Sequence, residues 1–217
     1  MKKEDISRID NWRFERELQK QGYHYIGGCD EAGRGPLVGP VVAACCVLPE
    51  DFKLDGLTDS KKLSEKKREE MFEYITSHTI YGIGIVSAEE IDEINIYEAS
   101  RKAMKLAIEE VRKQCNLNYI LTDAMPIELD IPVKDIIKGD LLSITIAAAS
   151  VIAKVTRDRM MIELDKKYPM YGFKSHKGYP TRKHYDALNK YGIIDGYRKT
   201  YGPVKRILQG ETLLNYF

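Results

Sequence analysis

Five short apolar runs, parted first by turns and later by helix-length stretches, restrict the fold more than any other feature of the chain. They fall at residues 25–29, 41–48, 80–86, 119–122 and 131–137. Each is of strand length, and the 80–86 run alternates Ile80, Gly82, Gly84 and Val86 in the period of two that a strand requires. A Gly/Pro-rich turn at residues 33–39 separates the first two runs. Ser64 is placed to cap a helix over residues 65–77, and Ser87 and Glu90 have capping-box spacing before a short helix. Residues 97–113 form a separate helix, with Ala99, Ala103, Leu106, Ala107 and Val111 on one side. A long helix is expected over residues 141–166, and a polar amphipathic helix over residues 4–21.

Three strands in succession followed by α-β-α-β-α predict an α/β fold, a mixed five-stranded sheet with helices on both faces. Residues 1–22 are read as a helical segment and residues 23–165 as the core. Residues 166–217, short helices and loops rich in Tyr, Gly and Lys, are read as a small helical C-terminal subdomain of the same folding unit. A chain of 217 residues suffices for one compact domain.

The net charge of +1 conceals an asymmetry. Residues 154–206 hold fourteen Lys and Arg against five Asp and Glu, whereas residues 1–153 hold twenty against twenty-seven. A basic C-terminal third beside an acidic remainder suits an enzyme that binds a polyanion around a carboxylate centre, although a solvated helical surface has the same composition. The start of the chain lacks a signal-peptide pattern, and no apolar run reaches the roughly 18 residues of a membrane span. Cys29, Cys45, Cys46 and Cys115 have no zinc-type spacing and suit reduced thiols. A cytoplasmic location is expected.

The chemistry concentrates in Cys29-Asp30-Glu31-Ala32-Gly33-Arg34-Gly35-Pro36, where two adjacent carboxylates end the first apolar run. Neighbouring strand residues point to opposite faces, so a shared site requires the chain to bend there, and the glycines supply the bend. The N–H groups of Gly33, Arg34 and Gly35 can approach a substrate closely, because two of the three residues lack a side chain. A solvated turn is the ordinary alternative. Asp123 follows another apolar run, and Asp140 precedes the long helix, with Asp135 a competing candidate. Clustered carboxylates with few His or Cys favour Mg²⁺ or Mn²⁺, and two such ions suit phosphodiester cleavage.

Cys29 to Pro36 resembles the signature of the ribonuclease HII family. So do Thr58-Asp59-Ser60-Lys61-Lys62-Leu63 and Lys138-Gly139-Asp140, the stretch from Ile146 through Ala149-Ser150, Lys154 and Arg157 to Asp158, and His176-Lys177-Gly178-Tyr179-Pro180-Thr181. The motifs occur in the family's order over residues 24–206. The resemblance implies a ribonuclease H-like fold and a metal-dependent centre of Asp30, Glu31, Asp123 and Asp140, in preference to Asp135. It implies that Gly33, Arg34 and Gly35 read the 2′-hydroxyl, that Tyr179 packs on the sugar at the RNA–DNA junction, and that Ser60, Lys61 and Lys62 meet phosphate. Where the family has Gly after its third carboxylate, this chain has Ala124.

The implied enzyme cuts the RNA strand of RNA–DNA hybrids and cuts 5′ to single ribonucleotides in duplex DNA, leaving 5′-phosphate and 3′-hydroxyl ends. It is expected to be a monomer that binds RNA–DNA hybrid and no membrane, with two Mn²⁺ or Mg²⁺ ions per site. The alternatives are a non-catalytic hybrid-binding module and a resolvase or transposase on the same fold. The related type III enzymes carry an additional N-terminal domain, for which too few residues precede the first strand. Lys154 and Arg157 are read as phosphate contacts or salt-bridge partners, and Ala147 to Ser150 as small residues for helix–sheet packing. His176 and His184 are read as surface or nucleic-acid contacts rather than catalysts. Most tyrosines of the C-terminal third are read as packing residues.

Overall fold

The computed structural model describes residues 10–54, 56–57 and 63–213. Strands β1 (Ile26–Ala32), β2 (Val41–Val47), β3 (Ile80–Val86), β4 (Tyr119–Asp123) and β5 (Val133–Ile136) form one sheet in the order β3-β2-β1-β4-β5. β3, β2 and β1 run antiparallel, while β1, β4 and β5 run parallel, giving the expected mixed sheet with β1 at its centre. β1 continues three residues past Cys29, so Asp30 and Glu31 lie within the ladder, opposite Ala44 and Ala43 of β2. The acidic pair therefore sits inside the strand rather than in a bend after it.

The strands β1 and β2 are buried on both faces, with Cys29, Val41, Ala43 and Cys45 facing one core and Ala44 and Cys46 the other. The first core is closed by α3 (Ala88–Arg112), the second by α2 (Glu65–His78) and α5 (Ile144–Lys167). Ser64 and Ser87 cap α2 and α3 as their positions predict. The two helices expected after Ser87 are both present within this span, parted at Asn95, whose φ of 67° and ψ of 164° are non-helical and whose side chain accepts from the N–H groups of Tyr97 and Glu98 to cap the second. Leu106, expected on the packed side, is 40% exposed. Glycine strand positions let α3 come close: a Cβ at Gly84 would stand 1.9 Å from the carbonyl oxygen of Ala103.

The long helix expected from residue 141 is broken at Ser143. A short turn, α4 (Gly139–Leu142), precedes it, and Ser143 caps α5 by accepting from the Ile146 N–H. The N-terminal helix is α1 (Arg13–Gln19), shorter than the expected span, whose first residues lie outside the described ones. It fastens to that break through buried Glu15. One oxygen of Glu15 accepts from the Ser143 hydroxyl (2.6 Å), the Thr145 hydroxyl (2.8 Å) and the Thr145 N–H (3.2 Å). Among the described residues no helix is long and apolar enough to cross a membrane.

Beyond α5, the short α6 (Phe173–His176) and the helices α7 (Arg182–Tyr191) and α8 (Gly202–Leu208) enclose a third core. There Tyr171, Phe173, Tyr185 and Tyr197 pack with Leu37 and Val38 of the loop after β1 and with Met161 of α5. His176 and His184 do not lie at the surface. Their rings stack 4.4 Å apart inside this core. His184 Nδ1 lies 2.9 Å from the Tyr179 carbonyl and Nε2 lies 2.7 Å from the Tyr197 hydroxyl. A carbonyl only accepts, so Nδ1 carries the proton and Nε2 accepts from Tyr197.

Burial lowers the His184 imidazole from its usual range to about 4. The unfolded chain then binds the proton first, so the stability conferred by neutral His184 is full above about pH 6.5 and declines below it, by about 2 kcal/mol at pH 5. Buried Glu15, Asp30 and Glu31 have raised pKa values and titrate in the opposite sense. The histidine is therefore isolated by comparing urea unfolding of wild type and His184→Asn at pH 7 and pH 5. Wild type should lose more stability, or gain less, than the variant on acidification. Identical changes would contradict the assignment.

Candidate active site

The parallel ladder between β1 and β4 ends with Cys29 opposite Thr122. Asp30 and Asp123 come next on neighbouring strands, in equivalent positions, and so lean to the same side of the sheet. Gly28, two residues before Asp30, lies against the first turn of α5, where a Cβ would be 2.3 Å from the Ile146 nitrogen. Asp30 thus faces the helix that begins just after Asp140. The Gly139 N–H donates to Asp123 Oδ1 at 2.8 Å and ties the end of β4 to the turn that holds Asp140.

Ala124 takes φ 48°, the left-handed conformation that glycine adopts freely. Its N–H donates to the Ile136 carbonyl, and the Thr122 hydroxyl donates to the Met125 carbonyl, so the turn closes despite the methyl group. The strain is about 1 kcal/mol. The turn thus persists where the family pattern has Gly.

Asp30 and Asp140 are each only 7% exposed. Desolvation, with the negative charges of Glu31, Asp123 and Asp140, raises the Asp30 carboxyl well above the usual carboxylate range. Glu31 is also raised, first by burial, against the opposing pull of Arg34, whose Nη1 lies 3.4 Å from Glu31 Oε1. The other oxygen of Glu31 is buried without a hydrogen-bond partner. A cleft of about 440 Å³ opens at Asp30 and Glu31, walled by residues 32–35, Arg68, Ser150, Val151, Lys154 and Tyr179. Asp123 and Asp140 stand outside that lining, within electrostatic reach of Asp30.

Asp135 is exposed on β5. Tyr179 is 43% exposed, and a Cβ at Gly35 would approach its ring to 3.3 Å, so loop and ring are in contact range. Ser60, Lys61 and Lys62 lie outside the described residues. Lys154 lines the cleft and pairs with Asp158 at 2.7 Å. Arg157 is neither a phosphate contact nor a salt-bridge partner among the described residues. It is 1% exposed, and its guanidinium donates to the carbonyls of Val38, Pro40 and Lys177. Arg68 in the cleft wall was not legible in advance, since one basic residue in a helix with several carries no distinguishing mark.

The donor set is all carboxylate oxygen, with an orphaned buried acceptor on Glu31 and mutual repulsion that only cations or protons relieve. These features fit hard divalent cations. Among the described residues, no three Asp, Glu, His or Cys side chains are drawn together into a closed cage.

The fold is shared with ribonuclease H-type nucleases of known structure. Ribonuclease H2 from Pyrococcus horikoshii OT3 superposes with a TM-score of 0.73 at 27% identity, over 85% of this chain and 97% of that one. RNase HII of Archaeoglobus fulgidus, solved in a complex with PCNA, gives 0.71 at 27% identity, over 87% and 98%. The family model for ribonuclease HII matches residues 27–202. Ribonuclease HII of Bacillus mycoides (strain KBAB4) is 52% identical over 198 residues, covering 91% of this chain and 76% of that protein. This chain belongs to the ribonuclease HII family. It is a divalent-metal-dependent endoribonuclease of the ribonuclease H type and acts on RNA–DNA hybrids.

Proposed function

We propose that the cleft hydrolyses the phosphodiester on the 5′ side of a ribonucleotide, both within RNA paired to DNA and at a single ribonucleotide in duplex DNA. The products carry 5′-phosphate and 3′-hydroxyl ends. One observation supports this reading above others: the buried acidic pair opens into the same cleft as the 33–35 loop and Tyr179. A resolvase or transposase has no use for such a sensor of sugar chemistry beside its carboxylates.

In this reading Asp30, Glu31, Asp123 and Asp140 hold two cations, Mn²⁺ or Mg²⁺. Bound cations neutralise the carboxylates and supply Lewis acidity for phosphodiester hydrolysis. Gly33, Arg34 and Gly35 bind the 2′-hydroxyl through the backbone, because that hydroxyl distinguishes ribose from deoxyribose. Tyr179 packs its ring on the adjoining sugar and sets the register. Ser60, Lys61 and Lys62 contact phosphate, and the basic surface of residues 166–217, part of the same folding unit, adds sequence-independent affinity for the backbone. The protein acts as a monomer.

Tyr179→Ala tests the reading. A lone ribonucleotide offers one register, whereas an RNA strand offers many. The variant should lose about tenfold or more in kcat/KM on the single-ribonucleotide duplex, as for loss of one stacked side chain, and less on the all-RNA hybrid. Equal losses on the two substrates would reduce Tyr179 to a packing residue.

A further inference from the structure

Two arginines lie behind the 33–35 loop, Arg157 of α5 and Arg198 between α7 and α8, at 1% and 0% exposure. Neither forms an ion pair with a carboxylate among the described residues. A buried cation without a counter-charge is costly to retain unless its donors are fully used. Here they are used on backbone. Arg198 donates to the carbonyls of Gly33 (2.6 Å), Arg34 (3.0 Å) and Gly39 (2.9 and 3.1 Å). Arg157 donates to those of Val38 (3.1 Å) and Pro40 (3.0 Å). Tyr201 adds a hydroxyl donor to the Arg34 carbonyl at 2.7 Å.

The direction of these bonds matters. In a planar trans peptide, C=O and N–H point opposite ways. The Gly33 carbonyl shares a peptide with the Arg34 N–H, and the Arg34 carbonyl shares one with the Gly35 N–H. Drawing both carbonyls inward to Arg198 turns both N–H groups away from the interior, on the loop that walls the cleft. Arg157 also donates to the Lys177 carbonyl, two residues before Tyr179, and the Leu37 N–H donates to the Gly178 carbonyl at 2.9 Å. The loop and the tyrosine, far apart in sequence, are thus fastened to one guanidinium. Gly33 makes room for it: a Cβ there would meet Arg157 Nε at 2.2 Å.

We propose that Arg157 and Arg198 are positioning residues for ribonucleotide recognition, aiming the Arg34 and Gly35 N–H groups at the 2′-hydroxyl and fixing their distance from Tyr179. The proposal rests on the reading above that this loop and Tyr179 sense the ribonucleotide. Both arginines act from behind the loop and contact no substrate.

The test compares wild type, Arg198→Met and Arg198→Lys on an all-RNA hybrid and on a DNA duplex with one ribonucleotide, both with Mn²⁺. Arg198→Met keeps the bulk and loses the donors. It should lower kcat/KM on the single-ribonucleotide duplex by about 30-fold, the equivalent of one charge-assisted hydrogen bond, while all-RNA cleavage falls several-fold less. Arg198→Lys keeps the charge without the fork and should fall between, and it serves as the test if the Met variant does not fold. In a third variant, Arg198→Ala, which leaves the space of the side chain open, added guanidinium at low millimolar concentration should restore part of the single-ribonucleotide rate. Equal losses on both substrates would overturn the proposal and leave a purely structural brace. Failure of wild type to cut the single-ribonucleotide duplex at all would overturn the underlying reading first, and the proposal with it.

Discussion

Asp30→Asn is expected to lower hybrid cleavage by about four orders of magnitude or more, the scale of losing a whole catalytic contribution. Asp30 lies in the central strand beside Asp123, buried, with three other carboxylates acting on its charge. No neighbouring side chain replaces its oxygen, and an amide is a poorer cation ligand than a carboxylate. Hybrid binding should persist, because it rests on basic groups elsewhere. The thermal midpoint in the absence of metal should hold or rise, since the substitution removes a buried charge from a repelling group. That combination separates a site defect from misfolding. Near wild-type cleavage by the purified variant would remove Asp30 from the chemistry.

Gly28→Ala is expected to cost about 3 kcal/mol in unfolding free energy and most of the activity with it. The added Cβ would stand 2.3 Å from both the Ile146 nitrogen and the Thr145 carbonyl carbon, backbone atoms that cannot rotate aside. Relief requires the first turn of α5 to lift from β1. That turn follows Ser143 and the Asp140 segment, so the lift also separates Asp140 from Asp30. Gly202→Ala is the control, as nothing lies within 4 Å of a Cβ there and its φ is ordinary. Equal urea midpoints for Gly28→Ala and Gly202→Ala would show that the helix is not seated on the strand as described.

The five strands were legible because apolar runs of strand length are hard to disguise, and Ser64 and Ser87 announced their helices by chemistry confined to one turn. The acidic pair, Asp123, Asp140 and Tyr179 stand out as candidates through motifs. What escaped depends on contacts remote in sequence. Nothing near Leu106 marks it as solvent-facing, and nothing near His184 reveals that Tyr179 and Tyr197 satisfy both its nitrogens inside a core. Ser143 looked like one more residue of a long helix, yet Glu15, far away in the chain, makes it a cap. Arg198 carries the loop's orientation while appearing as one of many basic residues. Its role exists only once the carbonyls of residues 33–39 are in place. In the same way, the ladder with β2 extends β1 through residues that resemble a turn when read alone.

The central claim is hydrolysis directed by one 2′-hydroxyl, and product mapping on a DNA duplex holding a single ribonucleotide tests it most directly. With the DNA strand labelled at its 5′ end and Mn²⁺ supplied, the account predicts one cut, on the 5′ side of the ribonucleotide. The labelled product should end in a 3′-hydroxyl that a polymerase extends, and the other fragment should start with a 5′-phosphate and retain the ribonucleotide. Chelation of the metal should abolish the cut. Cleavage on the 3′ side of the ribonucleotide, or cutting of the same duplex made wholly of DNA at a comparable rate, would contradict the account.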